Sequence, residues 1–281
     1  MARGEGMGGP VADLFAAGSS SFIDFLQAHR PEMLGTSGLL PEGVRAAPDQ
    51  VPHGTTVLAL VYRDGVLIAG DRRATMGHMI SQRDLEKVHP ADDHTALAFA
   101  GSVGLALDLV KLYQVELTHF EKIEGIPMTL NAKATRLGHL VRQNLGQAMQ
   151  GLAVVPLLAG YDPETGKGRV FGYDITGGRF EREDFHAEGS GSVFARGALK
   201  KLYRPEMSRR DAALTALQSL YDAADDDSAT GGPDLSRRIY PILSVLTADG
   251  FERLSEQETE ELAREIVDQR HRLPNGPVAA V

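Results

Sequence analysis

Strand-like and helix-like segments do not alternate along this chain. They come in blocks, and that ordering restricts the fold more than any other feature. An apolar, β-branched run at 57–62 is followed by Arg63-Asp64-Gly65 and a second run at 66–71; Asp-Gly between two such runs predicts a hairpin. Another strand is predicted at His78-Met79-Ile80. Lys87-Val88 and residues 95–100 predict the next pair, ended by Gly101. Two helices follow: one capped by Ser102 and carrying Leu105, Leu109, Leu112, Val115 and Leu117, and one after Pro127 carrying Leu130, Ala134, Leu137, Leu140, Val141 and Leu145. Strands return at 154–161 and 169–174 around a turn at 164–168, and Gly177-Gly178 marks another turn. Helical patterns occupy 193–203 and 208–224, a strand lies at 239–246, and a charged helix runs from 256 to 270. Clustered strands and clustered helices exclude an alternating parallel sheet. They predict an α+β fold, a four-layer α-β-β-α sandwich of two antiparallel sheets with helices outside both.

Residues 1–54 are different in kind, rich in Gly, Pro, Ala and Ser. Within them, Ser19-Ser20-Ser21 followed by Phe22, Phe25, Leu26 and His29, with Pro31 as a stop, predict one short amphipathic helix. The division is therefore 1–54 and a domain at 55–281, with a disordered tail expected from 274. The net charge of −9 argues against nucleic-acid binding. The absence of cysteine excludes disulfides, a thiol nucleophile and thiolate metal sites. No metal or other cofactor is expected. No apolar run reaches the length of a membrane span, and the first residues lack a basic patch followed by an apolar stretch, so no membrane association and a cytoplasmic location are expected.

Gly54-Thr55-Thr56 is where the two compositions meet. If the bond before Thr55 is cut, one residue carries both a hydroxyl nucleophile and an amine able to act as its base. The amine's reference pKa of about 7.7–8.0 leaves a useful neutral fraction at cell pH. A lysine ammonium nearby would lower the hydroxyl's pKa, and a carboxylate would hold that lysine. In the hairpin turning at Asp64-Gly65, Thr55 and Asp71 are at comparable distance from the turn and so near one another. Lys87 lies on a following segment, and Gly101, without a Cβ, suits close backbone approach to a substrate. The plain alternatives stand beside this reading: Gly-Asp as a turn, a solvated lysine, and Gly-Thr-Thr as a strand entry.

Residues 55–250 resemble the β-subunits of the 20S proteasome, actinobacterial ones especially. The resemblance runs through Thr55-Thr56-Val57, Gly70-Asp71-Arg72-Arg73-Ala74-Thr75, Glu86-Lys87-Val88, Ala100-Gly101-Ser102, Gly189-Ser190-Gly191-Ser192 and Asp227-Ser228-Ala229-Thr230-Gly231-Gly232. It implies an N-terminal nucleophile hydrolase, with Thr55 as nucleophile and its freed amine as base. Lys87 would lower the hydroxyl's pKa, Asp71 would pair with Lys87, and the Gly101 N–H would be the oxyanion donor. Ser190 and Asp227 match positions that support the amine. Thr230 stands where the family often has serine, and it keeps the hydroxyl. Thr75 and Val103 would line an extended substrate through backbone hydrogen bonds. Ala74, Leu85, Phe99 and Val103 match the primary specificity pocket, and their apolar character implies cleavage after hydrophobic residues. For Phe99 the alternative is core packing alone.

The same resemblance implies that residues 1–54 are a propeptide removed between Gly54 and Thr55 by attack of the Thr55 hydroxyl on the Gly54 carbonyl. It also implies partners: seven-membered β-rings stacked between rings of α-subunits, an ATPase or other regulatory ring, and unfolded protein substrates. Three rivals remain: a structural, non-catalytic β-subunit; a two-ring bacterial threonine protease partnered by an ATPase; and an N-terminal nucleophile amidase acting on small molecules.

Overall fold

A computed structural model describes residues 54–277. The expected helix at 22–29, with the remainder of residues 1–53 and residues 278–281, lies outside the described residues. The blocks seen in the sequence become strands β1 (Thr56–Tyr62), β2 (Gly65–Gly70), β3 (Ala74–Met76), β4 (Met79–Gln82), β5 (Val88–Asp92) and β6 (Thr95–Gly101), then helices α1 (Val103–Glu124), α2 (Leu130–Gln143) and the single turn α3 (Leu145–Ala148). Strands β7 (Val154–Asp162), β8 (Lys167–Tyr173), β9 (Arg179–Arg182) and β10 (Phe185–Gly189) follow. After them come α4 (Ser192–Leu202), α5 (Arg209–Asp226), β11 (Ile242–Thr247), β12 (Gly250–Arg253) and α6 (Glu256–Arg272).

Two five-stranded antiparallel sheets form, in the orders β10-β1-β2-β11-β12 and β5-β6-β7-β8-β9, with β3 and β4 as a separate hairpin. Strand alternation sorts the side chains into three apolar layers. Val57, Ala59, Val66 and Ile68 of the first sheet meet Ala96, Ala98, Leu157 and Ala159 of the second between the sheets. On the other face of the first sheet, Leu58, Leu60, Leu67 and Leu243 pack under α4, α5 and α6 through residues such as Leu199, Leu217 and Ile266. Leu97, Leu158, Phe171 and Tyr173 of the second sheet pack under α1 and α2 through Leu109, Tyr113 and Leu137. The architecture is thus the four-layer α-β-β-α sandwich, and burial of both sheet faces explains why the strands read as continuous apolar runs.

Several elements depart from the sequence reading. The turn expected at Gly177-Gly178 forms, but strands β9 and β10, which follow it, are not predicted from the sequence. Arg-Phe-Glu-Arg and Phe-His-Ala-Glu-Gly carry charges that hide strand character, and β10 forms because β1 offers it a full edge. The strand expected at 239–246 starts only at Ile242, and β12 adds itself beyond the Asp249-Gly250 turn. Ser102 does occupy the N-cap of α1, but its side chain makes no capping bond. The buried face of α1 is Ala106, Leu109, Val110, Tyr113 and Leu117; Leu112 and Val115 face outward at 47% and 65% exposure. On this face the Tyr113 hydroxyl donates to the Lys133 carbonyl of α2 at 2.8 Å. Past α6, Arg270 Nη1 donates to the Pro274 carbonyl at 3.2 Å.

The middle layer is filled by small and medium side chains, Ala59, Ala96, Ala98 and Ala159 beside valine, leucine and isoleucine. Ala98→Leu should therefore overpack it and lower stability by about 1–3 kcal/mol. Chemical unfolding of the unassembled chain checks this, against Val115→Ser on the exposed face of α1, which should change stability by less than about 0.5 kcal/mol.

Candidate active site

Hairpin register places the first set of groups. Val57 pairs with Gly70, so Thr56, not Thr55, stands opposite Asp71, and Asp71 N donates to Thr56 O at 3.1 Å. The Asp71 carboxylate is fully buried and accepts four hydrogen bonds. Oδ1 takes Thr56 N at 2.8 Å and Lys87 Nζ at 2.6 Å; Oδ2 takes Arg73 N and Gly231 N, both at 2.8 Å. Lys87, immediately before β5, is buried as well. Its Nζ donates to Asp71 Oδ1, to Arg73 O at 2.6 Å and to Gly54 O at 3.1 Å, three acceptors for the three protons of an ammonium. Burial lowers the Lys87 pKa from the ordinary lysine value, while the charge of Asp71 and its hydrogen bond oppose the drop.

The Thr55 hydroxyl donates to the same Gly54 carbonyl oxygen, at 2.6 Å. Gly54 holds φ at +103°, a conformation natural to glycine, and a Cβ there would sit 2.6 Å from Ala229 Cβ and 2.7 Å from Thr75 Oγ1. The peptide bond between Gly54 and Thr55 therefore lies against β3 and the loop after α5.

The second set arrives from the other half of the chain. Ser190, just past β10, donates its N–H to Thr55 O at 3.0 Å and its hydroxyl to Asp227 Oδ2 at 2.6 Å. Asp227 caps the C-terminal end of α5 and also accepts Thr230 Oγ1 at 2.6 Å and Ala229 N at 3.1 Å. The end of β6 closes the group: Ala100 Cβ lies 3.5 Å from where a Gly189 Cβ would be, and that point is 1.9 Å from Thr55 O. Thus Thr55, Asp71, Lys87, Ser190, Asp227 and Thr230 are linked through hydrogen bonds, with Gly101 at the adjoining strand end.

The pocket residues are more dispersed. Ala74 and Thr75 lie on β3, Leu85 follows β4, and Val103 opens α1. Ala74 and Leu85 are buried; Thr75 and Val103 are half-buried. Phe99 is packed among Leu109, Val110 and Tyr113 of α1, so the core-packing alternative describes its contacts. Four participants escaped the sequence reading as individual contributors: Thr56, the Arg73 backbone, Gly191 and Gly231. The Thr-Thr doublet was the available signal for Thr56. The others act through main-chain groups, which side-chain identity does not report. Among the described residues, no group of three or more His, Asp or Glu could hold a metal ion.

Comparison with known proteins places this geometry in context. The family model described as "Proteasome subunit" matches residues 51–234, which include every linked residue from Gly54 to Thr230. The chain is 74% identical over 273 residues to proteasome subunit beta 1 of Streptomyces avermitilis, covering 96% of each. It is 54% identical over 277 residues to proteasome subunit beta 2 of Thermomonospora curvata, covering 99% of this chain and 97% of that one. The proteasome subunit beta of Streptomyces griseus subsp. griseus is 54% identical over 270 residues, at 96% and 95% coverage.

Every group facing the Asp71 carboxylate is a donor, so Asp71→Asn must turn an NH₂ toward another N–H and leave the Lys87 ammonium without its counter-ion. The loss should reach about 3–5 kcal/mol, visible as a drop in the unfolding midpoint.

Proposed function

The chain belongs to the proteasome subunit family, as a β-subunit of a proteasome core, and we propose that it is a catalytic one: a threonine endopeptidase whose nucleophile, Thr55, is made N-terminal by self-cleavage after Gly54. One observation carries this reading. The Gly54 carbonyl oxygen is held at once by the Thr55 hydroxyl and by a buried lysine paired with a buried aspartate. A buried ion pair is a poor stabilising device compared with apolar packing, so its presence beside a hydroxyl favours a chemical use over the structural-subunit alternative.

In the precursor the Thr55 nitrogen is an amide and cannot serve as base. Lys87, which rests as an ammonium paired with Asp71, is the group beside the bond that can once it gives up a proton; burial favours that loss and the Asp71 charge opposes it. Neutral Lys87 takes the Thr55 hydroxyl proton as Oγ1 attacks the Gly54 carbonyl carbon. The C–N bond then breaks, and the proton passes to the leaving nitrogen. This leaves residues 1–54 as an ester on Thr55 Oγ1 and a free amine on Thr55. Water hydrolyses the ester. In the mature chain the amine takes over as base, held by Ser190 and Asp227, while Lys87 favours the Thr55 alkoxide and the Gly101 N–H receives the oxyanion.

Substrate would lie extended between β3 and the end of β6, adding a strand through Thr75 and Val103. Ala74, Leu85 and Val103 supply an apolar environment for the residue before the cut, with Phe99 in the core behind them. Exposed apolar side chains on α1, α4 and the β3–β4 hairpin, among them Val115, Val193 and Met79, support packing against neighbouring subunits. The proposed assembly is two seven-membered β-rings between α-rings, fed with unfolded chains by an ATPase or other regulatory ring.

Mass spectrometry should find the mature chain beginning at Thr55, and Thr55→Ala should keep residues 1–54 and lose peptidase activity. Self-removal of those residues by the alanine variant would overturn the mechanism. Because a depressed lysine pKa yields more neutral amine as pH rises, precursor cleavage should accelerate with pH and level off below 10.5, the unshifted lysine value. A rate that does not change with pH would remove Lys87 as the base. On a fluorogenic peptide panel, cleavage after hydrophobic residues should be fastest; a preference for acidic or basic residues would refute the pocket assignment.

A further inference from the structure

Thr56 touches the Asp71 carboxylate directly and reaches the Asp227 carboxylate through Thr230. Its backbone N–H donates to Asp71 Oδ1 at 2.8 Å, and its hydroxyl lies 2.6 Å from Thr230 Oγ1. Both threonines are fully buried. Counting protons gives the hydroxyl contact a direction. Thr230 has one hydroxyl proton, and the carboxylate oxygen Asp227 Oδ2, 2.6 Å away, accepts it. Thr230 must then accept from Thr56. The Thr56 oxygen in turn accepts from Gly191 N at 3.1 Å. A single directed chain results, from Gly191 N–H through the Thr56 and Thr230 hydroxyls to Asp227 Oδ2, the oxygen that also takes the Ser190 hydroxyl.

We propose that the Thr56 hydroxyl is a positioning group for the nucleophile: it commits the Thr230 proton to Asp227 and ties the first residue of β1 to the loop after α5. Thr55 is thereby held at a fixed place between the Lys87–Asp71 pair and the Ser190–Asp227 pair. The inference rests on the reading of Thr55 as nucleophile. Two features support it independently. Valine is nearly the same shape as threonine, favours strands, and would fill a buried strand position without needing hydrogen bonds; the hydroxyl at 56 is instead fully partnered. Gly191 has φ −85° and ψ 5°, open to any residue, so its backbone does not require glycine. A Cβ there, however, would sit 2.4 Å from Thr56 Oγ1 and 2.7 Å from Thr230 Oγ1. Space for the hydroxyl chain is what the missing side chain provides.

The test uses full chains matured and assembled with their partner subunits, assayed on one peptide. Thr56→Val should lower kcat about tenfold with KM changed less than about twofold, the pattern of a group that positions the reacting atoms rather than binds substrate. Thr56→Ser should restore kcat to within about twofold of the parent, because it restores the hydroxyl. Gly191→Ala should reproduce the valine defect. Thr55→Ala serves as the reference. Activity remaining in that variant means that the nucleophile reading has failed, whatever residue 56 does. With Thr55→Ala inactive, an unchanged kcat in Thr56→Val, or a serine variant no better than valine, overturns the positioning role. If Thr56→Val does not assemble, Gly191→Ala decides: full kcat overturns the proposal, and a selective loss of kcat supports it.

Discussion

A carboxylate with no solvent contact must find its compensation within the protein, and the way Asp71 does so organises everything around it. Its four donors come from four places: the start of β1, the turn after β2, the segment entering β5 and the loop after α5. Two of these belong to the first sheet, one leads into the second, and one follows a helix of the outer layer. Satisfying one buried charge therefore joins three of the four layers at one end of the sandwich. Lys87 is the reciprocal case, a buried cation with three acceptors, one of which is the carbonyl of Gly54.

The site sits where strands end. Thr55 precedes β1, Asp71 follows β2, Lys87 precedes β5, Gly101 ends β6 and Ser190 follows β10. Strand bodies are locked by three apolar layers, and their ends carry groups whose positions inherit that rigidity. The middle layer mixes alanine with valine, leucine and isoleucine. Leucine, tyrosine and phenylalanine on the outer faces carry the bulk of the helix packing.

Much of this was legible beforehand because it is local. The Asp64-Gly65 turn announced the hairpin, helical periodicity announced α2, α4, α5 and α6, and the block order announced the sandwich. Where reading failed, a distant partner had decided the outcome. Arg179–Arg182 and Phe185–Gly189 are strands because β8 and β1 had open edges, not because of their own composition. Leu112 and Val115 face outward because Ala106, Leu109, Val110, Tyr113 and Leu117 are the residues packed against the second sheet and α2. The displacement by one residue that sets Thr56 opposite Asp71 is a matter of register, which equal counting from the turn approximates but does not resolve.

Sequence alone determined the proximity of the nucleophile candidate and Asp71, since a tight turn constrains its two flanking strands to lie side by side. It also determined which residue types were on hand: a hydroxyl, a lysine, a carboxylate and glycines at strand ends. Tertiary structure decided how those groups meet. Thr230 reaches Thr56 across 174 positions of chain and Gly191 reaches it across 135. At such separations no local propensity acts; the meeting follows from sheets and helices burying their apolar faces, which brings chain ends together whose polar groups must then satisfy one another.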